Sequence, residues 1–197
     1  MRKAGRDKSA HHPPISSADQ AILKGSDALH PSNPRSLLKK VWFDIQLHFS
    51  RRGSEGNRHL KPDSLVQKNY ENGCRYFTMS FNEETKNHKD PMERAKENQR
   101  GAMYEEPGNP LCYLAKIPPG ATAFYLQPKR VFAPSDTFWY MSTPLGVDQL
   151  GKMLPRLCQE AGTSVRYTNH SLRATAIQKL SDAGLASREI MAVSGHR

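Results

Sequence analysis

His170 and Arg173 stand three residues apart at the start of a predicted helix, and Gly195-His196 follows after a second one. An i,i+3 pair raises both side chains from one face of the first helical turn. The N–H groups of a helix N-terminus favour an anion there. An arginine fork matches two nonbridging oxygens of a phosphoryl group, and a histidine can donate to one of them or exchange a proton near neutral pH. Together these residue types suit a pentavalent phosphate. The pattern H-x-x-R taken alone occurs too often by chance to carry that chemistry. A capping histidine and a salt-bridged arginine would give the same letters.

The elements that must position these residues can be read from periodicity. Asn169 is expected to cap the helix, with Leu172, Ala176 and Leu180 facing inward until Asp182-Ala183-Gly184 closes it. Ser187 or a neighbour opens a shorter helix through Ile190, Met191 and Val193. Upstream, Thr143-Pro144 reads as a cap and a first-turn proline. The helix they begin runs through Val147, Leu150, Leu154, Leu157 and Ala161, is kinked or divided at Pro155, and ends at Gly162. Nearer the start, Asn33 and Pro34 open a helix with Leu38, Val41, Trp42, Ile45 and Phe49 on one buried face. Gly53 is expected to stop it, delivering Arg51-Arg52 beside the turn; by composition that pair is a solvated charge cluster complementing the helix dipole.

Between these helices, a loop and short helix after Pro62 lead into a hairpin marked by Asn72-Gly73. Phe77, Met79 and Phe81 fall on one side and Tyr76, Thr78 and Ser80 on the other, a spacing more often core than base-stacking surface. Lys86 falls at the following turn or the start of a returning strand, and by composition is one more surface lysine. Residues 91–110 read as loop with a helical turn. Leu111, Leu114 and Ile117 form a short helix ended by Pro118-Pro119, and Ala123 to Pro128 is an interior strand. The stretch to Tyr140 reads as irregular, and residues 1–32 as a flexible polar leader.

The chain has 197 residues, 37% of them hydrophobic, and a formal charge of +10. That is enough to bury the core of one domain. The charge favours a polyanionic partner, nucleic acid ahead of a membrane surface. Cys74, Cys112 and Cys158 have neither zinc spacing nor an even disulfide count and read as reduced thiols. No apolar run reaches membrane-spanning length, and no signal peptide is visible.

Context sharpens the H-x-x-R pair. The block TNHSLRATAIQKLSDAG followed by I-M-x-x-S-G-H resembles the catalytic domain of tyrosine recombinases, in particular the Crypton-type domain of transposon-derived, zinc-finger MYM-type-like and glutamine-rich-like nuclear proteins. Supporting segments are NPRSLLKKVWF, Arg52-Gly53 and Thr85-Lys86-Asn87-His88. The resemblance covers residues 33–197 and implies a mixed α/β fold, mainly helical, with a small antiparallel sheet. It also implies that Arg52 is the first phosphate ligand, with Arg51 the alternative, and that Lys86 is the general acid toward the leaving 5′ oxygen. His170, Arg173 and His196 match the remaining active-site positions. No metal or cofactor is implied.

The family's attacking tyrosine lies about ten residues beyond the position of His196. None of Tyr70, Tyr76, Tyr104, Tyr113, Tyr125, Tyr140 and Tyr167 follows that histidine. Strand cleavage by this chain is therefore not expected, and residues 33–197 read as a C-terminally truncated catalytic domain. Three readings follow. The first is a catalytically incomplete, recombinase-derived nuclear domain that binds duplex DNA through its backbone or serves as an interaction module for nuclear proteins. The second is a fragment of an active enzyme using a downstream tyrosine for DNA strand transfer. The third is a transcription-regulatory scaffold without DNA binding.

Overall fold

The computed structural model describes residues 12–51, 56–71, 73, 75–80, 101–104 and 110–194. Helix α1 spans Ser17–Gly25 and α2 spans Pro34–His48. Asn33 caps α2 as the sequence requires: its Oδ1 accepts from Arg35 N and Ser36 N at 3.0 Å each, and Ser36 Oγ answers the cap's own N–H. The expectation of a single buried face is too narrow. Leu37, Phe43, Gln46 and Leu47 are buried along with Leu38, Val41, Trp42 and Ile45. α2 runs through the middle of the molecule and meets neighbours on several sides, which is where a helix apolar around most of its circumference belongs. It ends at His48, before Gly53, and Ser50 turns the chain with a φ of 48°.

Residues 15–32 correct the expectation of a flexible leader. Ile15, Leu23 and Leu29 are core residues, and α1 is followed by a 3₁₀ turn over Asp27–Leu29 that packs on α2. The physical reason is a long-range polar anchor. The buried Asp19 carboxylate accepts from Ser164 N at 2.8 Å, Ser164 Oγ at 2.7 Å and Tyr167 Oη at 2.8 Å. These hydrogen bonds, the one from the Ser164 backbone foremost, hold the Asp19 pKa below its usual value. Composition reports the polarity of this stretch but not the partners that satisfy it.

Strands β1 (Leu65–Asn69), β2 (Arg75–Met79) and β3 (Met103–Tyr104) form an antiparallel sheet in that order. Gly73 supplies the positive φ of the β1–β2 turn. Leu65, Phe77, Met79 and Met103 are buried, whereas Lys68, Tyr76 and Tyr104 lie in register across the three strands. Phe81 is outside the described residues. After α3 (Pro110–Leu114), β4 (Leu126–Pro128) pairs antiparallel with β5 (Tyr140–Pro144). Tyr113 joins helix to sheet, donating to Phe124 O at 2.7 Å and accepting from Leu126 N at 3.1 Å.

Thr143 and Pro144 are therefore strand residues and do not begin a helix. Pro144, at the strand's end, opposes Leu126, a place where a missing N–H is tolerated. The helix starts instead after Gly146, whose N–H donates to Gln149 Oε1 at 3.1 Å. It is divided as its proline foretold, into α4 (Val147–Gly151) and α5 (Met153–Ala161). The break precedes Pro155, which then occupies the first turn of α5, where its missing N–H costs no helical bond. Gly162 closes α5 at a φ of 73°. Helices α6 (Asn169–Asp182) and α7 (Ser187–Ser194) complete the described fold. The whole is mixed α/β, mainly helical, with two small antiparallel sheets.

Candidate functional site

The start of α6 is built differently from the expected cap. Thr168 occupies the N-cap position and Asn169 is the first helical residue. The Asn169 side chain points into the core, where Oδ1 accepts from Leu154 N at 2.9 Å and Nδ2 donates to Leu150 O at 2.8 Å. One amide thus satisfies a first-turn N–H of α5 and a carbonyl of α4, and locks both to α6. Thr175 adds a second clamp, donating to Ser171 O at 2.7 Å and accepting from Ile15 N at 2.8 Å.

This support leaves His170 exposed at the surface. Its ring stacks on His12, with centroids 5.0 Å apart and planes within 14°, and Thr168 Oγ1 lies 3.1 Å from His12 Nδ1. Sequence reasoning missed His12 altogether. It is 158 positions from His170 in a stretch read as leader, and no local signal marks it.

Arg173 behaves differently from its i−3 neighbour. It is 9% exposed, and Nη2 donates to Ser194 O at 2.6 Å. Ser194 Oγ in turn donates to Ile190 O at 2.6 Å, within α7. The guanidinium of the H-x-x-R pair is thereby tied to the last described residue before Gly195-His196. Arg52, Lys86 and His196 themselves lie outside the described residues. Arg51, the alternative to Arg52, is buried at 2% exposure just after the Ser50 turn. Tyr167, the tyrosine nearest His170 in sequence, spends its hydroxyl on Asp19 and on the N–H of Ser16.

Two concavities lie elsewhere. One, of about 730 Å³, is lined by Arg35, Lys39, Lys129 and Arg130 together with Asp27 and Glu160. The other, of about 610 Å³, lies along the C-terminal half of α6 at Ala176, Lys179 and Leu180. Burial, and then the charge of Lys24, lowers the Lys179 pKa there. Neither contains His170 or Arg173. Among the described residues, no helix is long and apolar enough to cross a membrane.

Residues 14–159 match the family model described as Domain of unknown function (DUF3504), which is most of the chain. The chain belongs to the DUF3504 family. That membership agrees with the sequence resemblance to Crypton-type domains, and the matched stretch begins within what was read as leader and ends before His170 and Arg173. No curated protein matches the chain. Among solved structures it is similar to the Tn1549 transposon integrase in complex with a circular intermediate DNA, at 14% identity and a TM-score of 0.49. The alignment covers 96% of this chain and 61% of that one. The same integrase in complex with transposon right end DNA gives 15% identity and a TM-score of 0.49, with 96% and 60% covered. The chain thus spans about 60% of the length of the integrase chains it matches. At this identity and score the likeness says nothing about chemistry.

Proposed function

We propose that the chain is a recombinase-derived nuclear domain that binds duplex DNA through its phosphate backbone. The observation that carries this reading is the bond from Arg173 to Ser194 O. It ties the arginine of the H-x-x-R pair to the segment leading into Gly195-His196, so that the two parts of the sequence block are coupled in space. A guanidinium has five N–H donors in a fixed fork, and a carbonyl that holds its plane pre-orients the group for phosphate oxygens. His170, exposed one turn earlier on the same helix, supplies a second polar group at the helix N-terminus. In this reading Arg52 is a further phosphate ligand, and Lys86 and His196 complete the pocket. The net charge of +10 supports a polyanionic partner.

Fluorescence anisotropy with labelled duplex DNA tests the proposal. Arg52→Ala and Arg173→Lys should each weaken binding at constant salt, the second because it keeps the charge and removes the fork. Equal affinity of both variants and the parent protein would reject it.

A further inference from the structure

The solvent face of the β1–β2–β3 sheet carries a feature that phosphate binding does not explain. Tyr70, which follows β1, packs against two other tyrosines, tilted against Tyr76 with centroids 4.4 Å apart and stacked on Tyr104 at 5.9 Å. Tyr76 and Tyr104 are directly cross-strand partners, and Tyr104 Oη donates to Tyr70 Oη at 3.4 Å. Clustered aromatics are ordinarily core. Here the core lies on the opposite face, through Phe77 and Met103, while Tyr70 is 42% and Tyr104 is 55% exposed. Exposed Val66 extends the same face. Lys68 pairs in register with Tyr76 and so shares its face.

We infer that Tyr70, Tyr76 and Tyr104 form a stacking platform for unpaired nucleobases, with Lys68 placed for the adjoining backbone. Aromatic rings presented beside a cationic side chain on an open sheet are the chemistry by which single strands are held without reading sequence, because every base offers a π-face. A base in an intact duplex is already stacked and cannot use such a surface, so the occupant is unpaired DNA or a locally opened stretch of duplex. The hydrogen bond from Tyr104, followed by burial, raises the Tyr70 pKa above its usual value. The inference deepens the DNA-binding reading above and rests on it for the identity of the polyanion. It assigns a separate surface and a separate form of DNA.

The test is anisotropy of labelled oligothymidylate and of duplex DNA on the full chain, comparing the parent protein with Tyr104→Ala, Tyr70→Ala/Tyr104→Ala and Tyr104→Phe. Loss of stacking should weaken single-strand binding about tenfold or more in the alanine variants, leave Tyr104→Phe near the parent, and leave duplex affinity unchanged. Circular dichroism and thermal melting establish that the variants fold. On the unaltered protein, a fluorescent purine analogue in the single strand should change its emission on binding as it stacks. Unchanged single-strand affinity in the double variant, or an equal loss for single strand and duplex, would overturn the platform. Absence of duplex binding with tyrosine-dependent single-strand binding would instead reject the backbone-binding proposal and leave the platform standing.

Discussion

Replacing Asn169 by alanine should destabilise the domain more than its place beside a helix cap suggests. The side chain is 4% exposed and bonds Leu154 N–H and Leu150 C=O, whose residues are 0% and 2% exposed. Each hydrogen bond contributes roughly 0.5–1.5 kcal/mol net, and a buried partner stranded by the substitution costs about 1–3 kcal/mol. Leu154 N–H lies in the first turn of α5 and has no carbonyl one turn back within its own helix, so it would be the stranded group. The expected loss is about 2–4 kcal/mol, or roughly 4–16 °C in Tm for a domain of this size. Urea unfolding should show a lower midpoint with an unchanged slope. Asn169→Asp should not rescue the fold at neutral pH, because it sets a carboxylate oxygen against the Leu150 carbonyl. A loss below about 0.5 kcal/mol for Asn169→Ala would refute the clamp.

Two further perturbations probe the frame around the site. Tyr113→Phe removes a hydroxyl that serves both Phe124 O and Leu126 N in the core, and should cost about 1–3 kcal/mol in urea unfolding; an unchanged midpoint would contradict that role. Asp19 has a folded-state pKa below its usual value of 3.8, so its contribution is fully present above that value and is lost as pH falls through the depressed folded pKa. Asp19→Asn should therefore lower Tm at neutral pH and flatten the acid limb of the stability profile, whereas parallel profiles for the two proteins would contradict the anchor.

Local signals carried much of this architecture. Asn33-Pro34, Gly162 and Pro155 mark boundaries through caps, a positive φ or a missing N–H, and these act within a few residues. Three misreadings share one cause. Asn169 has a capping residue's chemistry but spends its amide on Leu154 and Leu150; Thr143-Pro144 has the letters of a helix start but pairs with β4; and polar residues 15–32 are ordered by Ser164, Tyr167 and Thr175. In each case a partner distant in sequence decided between two locally acceptable structures. The site divides the same way. The spacing of His170 and Arg173 was legible, while the His12 ring and the Ser194 carbonyl that meet them were not.

Salt-dependent binding to duplex DNA tests the central claim most directly. With Arg52 and Arg173 both contacting phosphates, log K should fall linearly with log salt for the parent protein. The folded Arg52→Ala/Arg173→Ala double variant should bind more weakly, with a slope shallower by about 2. Binding indifferent to salt, or identical slopes for the two proteins, would contradict the account.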